Sequence, residues 1–259
     1  MGESLRVHVQ PVLRRSALIL SFRGWNDAGE AASRALRFVE DAIQAVPLAD
    51  FDPELFYDFT TQRPQVHVGP DGERAIAWPS FGFRYGSVDT AREVVTGLGD
   101  EPNLRWPSFC DCVVDFCHQL GLRQVVLLGA YLADVVYSRP VQVTGFATDS
   151  EHLAALGVAG SDYEGPTGIV GVLGDRLGRE GISVMSLWAG LPHYIPASPN
   201  PRGSLALLQK LAAYLDLRFD EAPLRIEAAE FEQKISQWVS ADTELTAYVK
   251  ELKRRDFVQ

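Results

Sequence analysis

Two short apolar runs without polar alternation, residues 16–22 (SALILSF) and 124–128 (QVVLL), constrain this chain more than any other feature. A strand that shows no polar face has to be covered on both sides, which is the situation of a parallel sheet enclosed by helices. Stretches of helical periodicity flank these runs. Residues 28–46 put Ala31, Ala35, Phe38, Val39 and Ala42 on one side of a helix. Residues 109–120 read as another, stopped by Gly121 at the place where a left-handed glycine ends a helix. Further strands are expected at 141–147 and 182–188, and further helices at 151–156, 169–179 and 204–215. This alternation predicts the α/β class, as a three-layer α/β/α sandwich with a mainly parallel sheet.

The intervening segments are read one by one. Residues 55–61 (LFYDFTT) and 92–98 are β-prone. Residues 65–68 and 74–78 flank Gly69-Pro70-Asp71-Gly72, and Asp-Gly between two β-prone runs predicts a hairpin. Residues 79–87, rich in aromatics and glycine, are assigned to loop, and 129–139 to a long polar connection. From about Pro223 the composition changes. Ile226, Phe231, Ile235, Trp238 and Val239 form an apolar stripe, which Leu245, Val249 and Leu252 continue after a break at 240–242. The expected organisation is a sandwich domain over 1–220 and a helical hairpin over 221–259 that packs on the body or on a partner.

Composition excludes several classes of function. The formal net charge of −10 argues against non-specific binding to nucleic acid or to an anionic membrane surface. No apolar run approaches the length of about eighteen residues that a membrane helix needs. Residues 1–10 carry charges and no apolar core of a secretory signal, so a cytoplasmic location is expected. Cys110, Cys112 and Cys117 are odd in number and lack the paired spacing of zinc sites, so they read as core thiols. His8, His67, His118, His152 and His193 are scattered, and no metal site is expected. Neither a phosphate-binding P-loop nor a dinucleotide fingerprint is present, and no cofactor is expected.

In a sheet of this kind the loops after the C-terminal strand ends gather at one rim, where ligands bind. Trp25, Asn26 and Asp27 belong there, as do Glu101, Asp134 with Arg139, and His193 with Tyr194. Beside them stands the corner Gly165-Pro166-Thr167-Gly168, which feeds a helix. Thr167 is expected to cap that helix, and the outward N–H groups of the turn suit a carboxylate or phosphate. Each candidate also has a structural reading. Asn26 or Asp27 can cap the helix that follows them. Asp134 and Arg139 can form a solvated ion pair. Glu101 suits a turn. His193 can be a general base or a hydrogen-bonded structural histidine, and the sequence offers no G-x-S-x-G elbow to supply its nucleophile.

The segments Gly24-Trp25-Asn26-Asp27-Ala28-Gly29, Glu101-Pro102-Asn103-Leu104-Arg105-Trp106, residues 128–135 (LGAYLADV) with Arg139-Pro140, residues 163–173 (YEGPTGIVGVL), and residues 186–194 (SLWAGLPHY) with Pro199-Asn200-Pro201 occur together and in this order. As a set they resemble the proteasome assembly chaperone family of the second type, in its actinobacterial-style branch. The resemblance implies a sandwich related in topology to the nucleoside phosphorylase and hydrolase group. It also implies self-association, as a homo-oligomer and specifically a trimer. Relatives in other lineages assist proteasome assembly, some through a C-terminal hydrophobic-Tyr-X tail. This chain ends Asp256-Phe257-Val258-Gln259, so docking by that mode is not expected.

Two functional readings follow. The first is a non-enzymatic, oligomeric scaffold or chaperone-like protein that binds itself and a protein partner, but neither nucleic acid nor membrane. The second is an enzyme or small-molecule sensor of the phosphorylase/hydrolase kind, holding an anionic ligand at Gly165–Gly168 with Asp27, Asp134 and His193. In the first reading the polar rim residues are engaged internally. In the second they line one pocket with the N–H groups after Thr167.

Overall fold

The computed structural model describes residues 4–89 and 92–256. In chain order the elements are β1 (Leu5–Val7), β2 (Ala17–Arg23), α1 (Ala31–Ala42), β3 (Val46–Phe51), α2 (Pro53–Phe56), β4 (Gln65–Val68), β5 (Arg74–Ala77), β6 (Phe81–Asp89), β7 (Arg92–Asp100), α3 (Trp106–Leu120), β8 (Gln124–Ala133), β9 (Val143–Ala147), α4 (Ser150–Ala155), β10 (Ala159–Gly160), α5 (Ile169–Arg179), β11 (Ser183–Pro192), α6 (Pro201–Leu215), α7 (Ala222–Ala241) and α8 (Thr243–Asp256).

Among the described residues one large sheet runs β1-β3-β6-β7-β2-β8-β11-β9-β10, and β4 pairs only with β5. Its centre is parallel: β2 pairs in parallel with both β7 and β8, and β8 with β11. On one side β6 adds antiparallel to β7, β3 to β6 and β1 to β3. On the other side β9 is antiparallel to β11 and parallel to β10.

The lack of alternation in β2 has a direct cause. Leu18, Leu20 and Phe22 point into one core, shared with Phe109 and Val113 of α3 and Ile169 and Leu173 of α5. Ala17 and Ile19 point into the other, shared with Ala32, Leu36 and Val39 of α1 and Leu207 and Leu211 of α6. Both faces are therefore sealed, which makes three layers. The first core is aromatic, with Phe51, Phe81 and Phe109 mutually in contact at centroid distances of 4.3 to 6.1 Å. Such pairs contribute about 0.5–1.5 kcal/mol beyond the area they bury.

Several expectations are corrected. Residues 79–87 are not loop but most of β6, whose Phe81 and Phe83 face the aromatic core. Gly86 interrupts the aromatic pattern because a Cβ there would lie 2.4 Å from the Ile43 carbonyl oxygen. Residues 55–61 are not a strand: Asp52 Oδ1 accepts from the Glu54 N–H at 3.0 Å and Pro53 opens α2. A turn follows, in which Asp58 Oδ1 accepts from the Thr60 N–H at 2.8 Å. The helix expected to reach Val46 ends at Ala42, and Val46 begins β3. Residues 129–133 are not connection, because β8 continues in register with β11 as far as Ala133 opposite Pro192.

The expected hairpin is β4–β5, and the tail forms α7 and α8. The tail stripe makes its own core: Ile235, Val239, Val249 and Leu252 close on Val136 and Ile195 of the rim loops. No helix among the described residues is long and apolar enough to cross a membrane.

Candidate functional site

The C-terminal ends of β7, β2, β8 and β11 carry the candidate residues to one rim, as expected for parallel neighbours. The structure gathers them into three places.

The first lies at the start of α5. Ile169 donates its N–H to Glu101 Oε1 at 2.7 Å. Gly168 stands at the N-cap position and makes no side-chain cap. Thr167 does not cap the helix as expected, since its Oγ1 donates instead to the Gly168 carbonyl at 3.4 Å. The cap is supplied across the fold by a carboxylate, which also suits the positive end of the helix dipole. Gly168 is required by close approach: a Cβ there would meet Asn26 Oδ1 at 2.3 Å and Glu101 Oε1 at 2.8 Å. The Asn26 amide beside it is 0% exposed, and neither its oxygen nor its nitrogen is hydrogen-bonded. The Asn26 carbonyl accepts from the Ala130 N–H at 2.9 Å, tying the loop after β2 to β8. Gly165 and Tyr163 belong to an exposed corner in which the Tyr163 hydroxyl donates to the Pro166 carbonyl at 3.1 Å.

The second place is the start of α1. Asp27 is 6% exposed, and its Oδ1 accepts from the N–H groups of Ala32 at 2.8 Å and Ser33 at 3.1 Å. It caps the helix from several residues upstream, the capping reading that its sequence position offered. Its Oδ2 is buried without a partner. Burial raises the Asp27 pKa above its ordinary value of 3.8, against the opposing pull of the Ser33 and Ala32 bonds.

The third place joins the strand ends to the tail. Because Ala133 sits opposite Pro192, the next residues, Asp134 and His193, come side by side. His193 Nδ1 lies 3.0 Å from Asp134 Oδ1, which also accepts from the Tyr248 hydroxyl of α8 at 3.2 Å. The rings of His193, Tyr194 and Tyr248 meet edge to face, with centroids 5.3 to 5.8 Å apart. Tyr194 donates its hydroxyl hydrogen to the Val135 carbonyl at 2.9 Å and accepts from the Tyr137 N–H at 3.0 Å. Asp134 has His193 as an ion-pair partner, and Arg139 lines a separate cavity beneath α7, where its carbonyl accepts from Arg202 at 2.7 Å. Tyr248, Arg202 and Glu232 carry no signal in the sequence, because their roles depend on where the tail docks.

Thus the Ile169 N–H is occupied by Glu101, Asp27 holds α1, and Asp134 and His193 hold one another and the tail. Trp25 carries none of this polar network and stands 63% exposed. The thiols are equally quiet: burial pushes Cys110 and Cys117 up to about 12, and Asp111 adds to the effect at Cys110. Among the described residues no group of three or more His, Cys, Asp or Glu is placed to hold a metal ion.

The sequence profile of the PAC2 family matches residues 21–239. The chain belongs to the PAC2 family. A PAC2 family protein of Streptomyces avermitilis shares 37% identity, covers 90% of this chain and 99% of its own, and superposes with a TM-score of 0.81. A proteasome-assembly chaperone homologue of Mycobacterium tuberculosis shares 36% identity over 90% of this chain and 99% of its own, with a TM-score of 0.83. An archaeal proteasome activator of Pyrococcus furiosus, at 18% identity, covers 92% of this chain and 99% of its own with a TM-score of 0.69, a likeness of fold. A search of curated proteins returned no match. In this member of the family, segments that carry the resemblance in sequence stitch helices to strand ends.

Proposed function

We propose that this PAC2 family protein is a non-enzymatic, chaperone-like scaffold of the cytoplasm that self-associates as a homotrimer and engages proteasome subunits. One observation supports the reading above others: at the rim Glu101, Asp134, His193 and one oxygen of Asp27 are engaged internally, while large apolar side chains face outward. Trp25 is 63% exposed, Leu132 58% and Tyr163 66%, and Leu104 and Tyr131 are exposed nearby in the chain. Trp25 and Leu104 follow the ends of β2 and β7, Tyr131 and Leu132 are among the last residues of β8, and Tyr163 precedes α5, so they belong to the rim at the C-terminal strand ends. Apolar residues grouped on a surface mark protein contact. The partner class rests on the printed descriptions of the solved relatives, one a proteasome-assembly chaperone homologue and one a proteasome activator. Residues 221–259 act in this reading as an appendage that braces the rim. The test is native mass spectrometry of the chain mixed with proteasome α-type subunits from the same organism. A stable heteromeric complex, lost on Trp25→Asp with the fold intact, is the expected result. Absence of any complex across a range of ratios would remove the proteasome from the proposal.

A further inference from the structure

The docked tail leaves a cavity of about 310 Å³ between α7 and the rim, within the size range of small-molecule sites. Val141, Leu191, Phe231 and Ile235 give it apolar walls. Its polar side is built around Arg202, in the first turn of α6, whose side chain is only 15% exposed. Nη2 of Arg202 donates to the Arg139 carbonyl at 2.7 Å. Nε lies 3.5 Å from Glu232 Oε2 of α7, longer than a charge-assisted hydrogen bond. A cation this deeply placed normally holds its counter-charge at close range. Here the counter-charge stands 3.5 Å away, on a Glu232 side chain that is itself 40% exposed. The start of the fifteen-residue α6 adds positive field at the same point.

We propose that this cavity binds a small organic carboxylate on a short aliphatic or aromatic body. The carboxylate replaces Glu232 at the planar guanidinium of Arg202, and the body lies against Phe231 and Ile235. The site is separate from the start of α5 and does not rest on the scaffold reading. Because one wall is strand rim and the other is α7, an occupant touches both.

Isothermal titration of the full chain with hexanoate and phenylacetate tests this, with hexanamide and phenylacetamide as uncharged counterparts. Saturable one-to-one binding of at least one acid is expected near about 1 mM, the range open to ligands of so few atoms. Its amide is expected to bind at least about tenfold more weakly, as a charge-assisted pair requires. Arg202→Met should weaken the acid by at least about tenfold, whereas Glu232→Gln, which removes the competing carboxylate, should tighten it. The opposite signs separate a binding role from a structural one, and Glu232→Gln decides alone where Arg202→Met does not fold. No saturation by either acid up to about 10 mM, equal binding of acid and amide, or weaker binding in Glu232→Gln would overturn the proposal.

Discussion

A single carboxylate decides what the start of α5 can hold. With Glu101 Oε1 2.7 Å from the Ile169 N–H, an incoming anion meets an occupied donor and a like charge. Glu101→Ala is expected to lower stability by about 1–2 kcal/mol, as loss of a helix cap does, read from urea unfolding at unchanged m-value. Asp27 makes a prediction of its own. Its pKa is raised in the fold, chiefly by burial, so the folded state holds its proton more tightly than the unfolded chain. The stability this confers is complete below the ordinary value of 3.8 and is lost as pH rises through the raised value. Asp27→Asn keeps an acceptor for the Ala32 and Ser33 N–H groups and removes the titration. Relative to that variant, wild type should become progressively less stable as pH climbs from about 4, measured by thermal unfolding across a pH series. A parallel course of the two curves would remove Asp27 ionisation as the cause. These capping roles were only half visible in the sequence. The capping alternative for Asp27 was legible because Asx before a helix is common. Glu101 was not, because it reaches a helix 68 positions away. Thr167 misled, because proximity in sequence to a helix start stood in for geometry.

At the scale of elements, the parallel centre could be read because β2 and β8 are sealed on both faces and show it as unbroken apolar runs. The antiparallel flank could not. In β6 the alternation Phe81, Phe83 was present, but two glycines, of which Gly86 is demanded by the approach of Ile43, made the segment look like loop. In α2 the local signal Asp52-Pro53 overrode the β-prone residues after it. The tail stripe was legible from its spacing, although its docking partner, the loops around Val136 and Ile195, was not. Ile235, 2% exposed at the centre of that cluster, tests the docking. Ile235→Asp places an unpaired charge among apolar side chains and is expected to cost about 3 kcal/mol. Hydrogen exchange should then rise across α7 and α8 and remain slow in β2 and β8. Uniform acceleration through the whole sheet would instead make the tail part of one cooperative unit with the sandwich.

For the molecule as a whole, the sandwich brings the marked loops to one rim, uses Glu101, Asp27, Asp134 and His193 there as internal pins, and leaves Trp25, Leu132 and Tyr163 facing water. Such an edge is suited to joining surfaces. Family membership was legible because several individually weak segments occur in a fixed order, whereas the separation of the candidate residues into three places depends on the β8–β11 register and could not be read from them. Sedimentation equilibrium of the wild type beside the double variant Trp25→Asp/Leu132→Asp, with thermal unfolding as the control for folding, weighs the joining role of the rim. The wild type should sediment at three times the chain mass of 28.5 kDa and the folded variant as a monomer. A wild type that stays monomeric at every concentration, or a folded variant that assembles as the wild type does, would contradict it.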